Sequence, residues 1–190
     1  MFGFGKKKKT LFTSKVMMTR AVLDPMLVNG IRTGNNMLIT FFPGTEKRLL
    51  RLLNGDPVLS EFIILVGQNI SPAAIQKIKD CASLGAYKPV LAERYPLSEK
   101  EKQVAEKLEM NGISLPIDAY AALDDAFMLQ AGGEKIKRMM EQMDMRTDEI
   151  LSHTMIESAI ERFQSKLAEK VAVESHAETS HDWFRMNIPS

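Results

Sequence analysis

The chain has 190 residues, 45% of them apolar and 26% charged, and its formal net charge is +1. That length carries one domain and a helical extension, and the charge excludes polyanion binding driven by the whole surface. One cysteine, Cys81, excludes a disulfide framework and a cysteine metal cluster, and it fits a reducing cytoplasm.

The start, "MFGFGKKKKTLF", has no long apolar run behind its basic cluster, so it is not read as a secretory signal. Residues 1–12 are expected to be a disordered basic end. Lys6, Lys7, Lys8 and Lys9 are candidates for contact with an anionic membrane surface, at about 1 kcal/mol per lysine. A solubilising end is the alternative. Nucleic acid is not an expected partner, since no helix-turn-helix, aromatic RNA-binding signature or zinc finger is present.

Residues 13–35 read as a helical segment, with Val16, Met17, Ala21, Leu23, Met26, Leu27 and Ile31 near helical spacing and Pro25 kinking or dividing it. A repeating grammar follows over residues 36–125. "MLITFF" (Met37–Phe42) reads as a strand, then Thr45 as the N-cap of a helix to Leu53. "FIILVG" (Phe62–Gly67) is apolar on both faces, as a buried parallel strand requires. Ser71 caps the next helix, Pro72 takes its first position and Gly85 ends it. A third strand is expected around Val90–Ala92, a helix capped by Ser98, and a fourth strand around Ile117–Ala122. Strands alternating with helices predict an α/β fold: a small doubly wound parallel sheet of about four strands, followed by a C-terminal two-helix extension. The two helices are expected at Asp124–Met143 and His153–Val173, within an extension spanning residues 126–173, and residues 174–190 form a tail with an aromatic anchor.

Catalytic signatures are missing. There is no GxxxxGK[ST] to hold phosphates, no GxGxxG after a strand and no GxSxG elbow. His176 and His181 lie five apart with no third strong ligand and read as solvated tail residues. No metal and no cofactor is expected. In an open parallel sheet ligands sit beyond the carboxyl ends of the strands. There Thr45, Asn69, Ser71, Arg94 and Asp124 are the candidates for a phosphate or small ligand, because helix amides and a guanidinium attract anions. The competing reading is that Thr45 and Ser71 simply cap helices.

Residues 120–170 resemble the preprotein translocase motor ATPase, the SecA family, where its second helicase-like nucleotide domain ends and its long scaffold helix begins. "ALDDAFM" (Ala122–Met128) is similar to the family's S-L-E-D-D-L-M. "GGEKIKRMMEQMDM" (Gly132–Met145) resembles G-G-E-R-I-x-x-L-M-x-x-L-G-M. "DEILSHTMIESAIERFQSKL" (Asp148–Leu167) follows D-E-P-I-E-H-x-M-V-x-x-A-I-x-x-A-Q-x-K-V, in register and without gaps. Asp144 stands where the family has Gly, and Phe163 where it has Ala. The family's glutamine-glycine-arginine helicase motif has no counterpart in the chain. The resemblance therefore implies the architecture of a degenerate helicase-like second domain, and not ATPase activity, which needs a lysine and a magnesium-binding group on the phosphates.

Two amphipathic helices carry the rest. Ile136, Met139, Met140 and Met143 form one stripe, and Met155, Ile156, Ala159, Ile160, Phe163 and Leu167 the other. Asp148 and Glu149 suit the positive start of the second helix, and His153 reads as a structural hydrogen-bonding residue beside it. Met139, Met143, Trp183, Phe184 and Arg185 are the partner-binding candidates, because adaptable methionines and Trp–Arg anchors favour interfaces. The tail either folds back or docks into a partner. The expected function is a non-catalytic interaction or accessory protein, related to the translocase motor and acting in the bacterial cytoplasm or at the inner face of the membrane; the alternatives are a phosphate- or small-ligand-binding α/β domain, an enzyme among them, that uses its strand-end loops, and a peripheral membrane or nucleic-acid binder through Lys6–Lys9. A protein partner or self-association is expected.

Overall fold

The computed structural model describes residues 9–83 and 87–188. Lys6, Lys7, Lys8 and the helix-ending Gly85 lie outside the described residues. Strands β1 (Phe12–Met17), β2 (Asn36–Thr40), β3 (Ile63–Leu65), β4 (Lys88–Leu91) and β5 (Ile117–Ala122) form one sheet in the order β1-β5-β4-β2-β3. Every pairing is parallel, so the expected α/β sheet is present, with a fifth strand. Helices α1 (Arg20–Arg32), α2 (Pro43–Leu52), α3 (Pro57–Ser60), α4 (Pro72–Ser83) and α5 (Ser98–Met110) make the crossovers. Four more follow β5: α6 (Ala126–Gln130), α7 (Gly133–Gln142), α8 (Thr154–Lys170) and α9 (Ser180–Asn187).

The extra strand is β1, inside a segment whose apolar spacing predicts helix. The helical period belongs to α1 alone, which buries Leu23, Leu27, Val28 and Ile31 and runs on through Pro25. In "FTSKVM" Ser14 and Val16 are buried alternately, as in a strand. What fixes β1 is distant in sequence: it pairs from Phe12↔Ile117 to Met17↔Ala122. Disorder expected through residue 12 is thus contradicted at Phe12, which opens β1, and at Leu11, whose carbonyl already accepts from the Ile117 amide at 3.0 Å.

Two expected caps also differ. Phe42 precedes α2, with Pro43 opening it, and Thr45 lies inside its first turn. Leu97 precedes α5, and Ser98 is its first residue without a capping bond. Ser71 does cap α4, its Oγ accepting from the Ala74 amide at 3.1 Å.

The helix expected over Asp124–Met143 is broken between α6 and α7. Gly132 has φ +97°, a left-handed conformation that glycine adopts freely. A Cβ on Gly133 would lie 2.8 Å from the Met128 carbonyl oxygen and 3.0 Å from that of Leu123, so the backbones meet only over glycine. Asp144, where the family has glycine, also adopts a left-handed φ of 53°. Asp144→Gly should raise stability by about 0.5–1 kcal/mol by relieving that conformation, read as a higher urea midpoint at unchanged slope.

Among the described residues, no helix is long and apolar enough to cross a membrane.

Candidate functional site

The chain leaves β2 outward to β3, then returns past β2 to β4. The carboxyl ends of β2 and β4 thus border a topological switch point, where such sheets take ligands. The first turn of α2 supplies amide donors there, and a helix start favours an anion.

That anion is already present, and it is a side chain. Glu93, just past β4, is buried. Its Oε1 accepts from the amides of Phe41 at 2.9 Å and Phe42 at 3.0 Å. Its Oε2 accepts from the Thr45 hydroxyl at 2.6 Å. Thr45 therefore does lie at the anion position, but its hydroxyl is committed to Glu93.

Burial pushes the Glu93 carboxyl above the ordinary range, against the lowering pull of Thr45, the Phe42 and Phe41 amides and Arg20. A folded-state value above the unfolded one means that this group's contribution is full in acid and is lost as pH rises through the folded value. Glu93→Gln keeps the shape and removes the charge. As pH rises above the ordinary carboxylate range its stability should fall less than that of the wild type, in urea titrations at several pH values.

Beside Glu93 is a cleft of about 250 Å³, bordered by Arg20, Arg48, Asp124 and Asp125 on the sheet side and by Thr179, Ser180 and His181 on the other. Its arginines are committed to acids. Arg20 Nε donates to Asp125 at 2.8 Å, Nη2 bonds the same carboxylate, and Nη1 reaches the Ala92 carbonyl at 2.9 Å and Asp24 at 3.3 Å. Burial opposes charge on Arg20, but Asp125 and Asp24 outweigh it and raise its pKa. Arg48 pairs with Asp24 as well. Asp124 accepts from the Arg20 amide at 2.7 Å.

Arg94 points elsewhere. It forms a bidentate pair with Glu101, at 2.8 and 2.7 Å, and donates to Ser14 Oγ at 2.8 Å. Glu101 also accepts from the Tyr95 amide at 2.7 Å and from Gln164 Nε2 at 3.0 Å, and Gln164 donates to the Tyr95 carbonyl at 2.8 Å. Arg94, Glu101 and Gln164 are all buried, so this network locks α5 and α8 onto β4. Asn69 and Ser71 are exposed. Of the five ligand candidates, Thr45, Arg94 and Asp124 border the cleft, with the Arg94 guanidinium held by Glu101 and Ser14, while Asn69 and Ser71 lie apart from it.

Among the partner candidates, Trp183 is fully buried, Phe184 and Met139 are half-buried, and Met143 and Arg185 are exposed. The tail folds back. Lys9 pairs with Glu109. Glu93 and Glu101, which organise the site, carry no motif. The visible signal is an acid in the loop directly after an apolar strand, "VLAERY", where a carboxylate faces helix amides.

No family model matches the chain. It is 28% identical over 95 residues to the protein translocase subunit SecA of Christiangramia forsetii, which is 50% of this chain and 8% of that protein. It is 28% identical over 86 residues to the same subunit of Caldicellulosiruptor saccharolyticus, covering 45% of this chain and 10% of that one. The chain therefore carries a SecA-like segment that spans about a tenth of those relatives.

The motif residues have structural work in this fold. Asp125 closes the turn after β5 by accepting from the Ala122 amide at 2.9 Å, and holds Arg20. His153 caps α8, its Nδ1 accepting from the Met155 amide at 3.1 Å. Gln164 anchors α8 to Glu101 and Tyr95.

Proposed function

We propose that the protein is a non-catalytic interaction protein of the protein-translocation machinery, related to the translocase motor. The observation that carries this reading is the sheet's carboxyl edge. Its anion position holds Glu93, and its cleft arginines are paired with Asp24 and Asp125. A nucleotide's phosphates would have to displace a buried carboxylate bound by three donors, against the charge of the neighbouring acids. The SecA similarity supports the link to translocation.

Binding is assigned to the helical half. Leu129, Met143, Ile150 and Met155 are each at least 40% exposed, from α6 to the start of α8. Unbranched methionine adapts to irregular partner surfaces. The tail's Trp183 is spent inside the fold and is not an interface anchor in this state.

The test is binding to purified full-length SecA and to the membrane-embedded translocase, with Met143→Glu and Met155→Glu. Each substitution should weaken binding by at least about tenfold, or 1.4 kcal/mol, with the fold unchanged. ATP hydrolysis that disappears on changing one acidic or basic residue of the cleft would refute the reading.

A further inference from the structure

The segment Glu174–Asn187 covers the sheet's carboxyl edge and is a closed unit. Asn187 Oδ1 accepts from the Ser175 amide at 2.6 Å, and its Nδ2 donates to the Trp183 carbonyl at 2.9 Å. Thr179 caps α9 through the Asp182 amide at 3.1 Å, and Trp183 Nε1 donates to Glu174 at 2.7 Å. These bonds would survive if the segment left the body.

The links to the body have one polarity. Gly44 N–H donates to the Glu178 carbonyl at 2.9 Å, and Lys47 pairs with the Glu178 carboxylate at 2.5 Å. Tyr95 O–H donates to Glu174, and Lys100 stands 4.0 Å from it. The body supplies donors and cations, and the segment supplies acceptors and acids. Aromatic contacts complete the seat: Trp183 meets Tyr95 edge-on at 6.4 Å, and Phe184 stacks on Phe163 at 6.1 Å. Phe163 is the residue standing where the SecA family has alanine. Gly44 is needed for contact, because a Cβ there would lie 2.7 Å from the Thr179 methyl and 2.9 Å from the Glu178 oxygen.

We infer that this aromatic seat, with the donors Gly44, Lys47, Tyr95 and Lys100 at its contacts, is a docking site for an acidic aromatic helical segment. It is occupied in cis by Glu174–Asn187, and it accepts the same segment from a second copy of the chain when the cis segment detaches. A partner must then compete with the cis segment, and its apparent affinity is reduced by the fraction of molecules that are closed.

The probe is a dye-labelled peptide of residues 171–188, followed by fluorescence anisotropy with the full chain. Trp183→Ala loosens the cis segment and leaves the seat intact, so it should bind the peptide at least about tenfold more tightly than wild type does. Adding Gly44→Ala should abolish that binding. No binding to folded Trp183→Ala protein overturns the proposal, and so does binding that Gly44→Ala leaves unchanged. Hydrogen exchange of the wild type is a second check that needs no variant. The Gly44 amide, whose acceptor is the Glu178 carbonyl of the segment, should exchange at least about tenfold faster than the Leu38 and Leu123 amides, which bond within the body. Equal rates would make the segment an integral part of the fold and refute its exchange.

Discussion

Glu101→Ala is expected to cost about 3–5 kcal/mol, because it strands Arg94 as an uncompensated buried charge. The Arg94 and Glu101 side chains are 5% and 2% exposed, so water cannot replace the lost partner without opening the α5–α8 contact. The Tyr95 amide and Gln164 also lose their acceptor. At this chain length the loss lowers the thermal midpoint by about 6–20 °C. Glu101→Gln should recover part of it by keeping an acceptor. The pair Arg94→Met with Glu101→Leu should recover most of it, because removing both charges together leaves nothing unpaired. Urea unfolding of the three variants separates these outcomes. Equal losses in the single and the double variant would show that packing, and not charge pairing, sets the cost.

Asp125→Ala should cost about 3 kcal/mol, the low end for a buried pair, since Arg20 keeps Asp24 and the Ala92 carbonyl. The turn after β5 loosens as well, because the Ala122 amide loses its acceptor. Asp125→Asn keeps an acceptor for that amide and should recover part of the loss. The consequence is specific to the SecA-like motif. If the motif's acid serves stability, the variant unfolds earlier, while the proposed binding to SecA, measured at a temperature where it is folded, is unchanged.

Much of the fold was legible because four strands are short apolar runs between clear helix starts. "FIILVG" and "SPAAI" announce β3 and α4 by local chemistry alone. β1 was not legible, since six residues with two buried polar or apolar alternations carry too little period beside a thirteen-residue helix. The α6–α7 break was hidden for a different reason. A glycine pair signals a stop, but only the left-handed Gly132 and the carbonyls pressed against Gly133 show that the chain must turn there.

The site was less legible than the fold. Thr45 was findable from its place after a strand. Its partner Glu93 lies 48 residues away, and nothing local ties the two. The same holds for Glu101 and Gln164, 63 residues apart, whose contact gives the motif's glutamine a structural role in this fold. Trp183 shows the ambiguity of an aromatic tail. Its sequence fits a partner anchor as well as a fold-back, which a bare Trp-Phe pair in water favours, and the acceptor Glu174 and the Tyr95 ring decide for the fold-back.

The proposed function turns on closure of the sheet's carboxyl edge to phosphates by Glu93 and the acids around it. Thermal unfolding of the full chain with magnesium ATP, ADP or inorganic phosphate tests it most directly. A ligand at about a hundred times its Kd adds about 2.7 kcal/mol, which would raise the midpoint by about 5–10 °C. The closed site predicts no shift with any of the three. A shift of that size with ATP, lost in Thr45→Ala or Arg48→Ala protein, would contradict it.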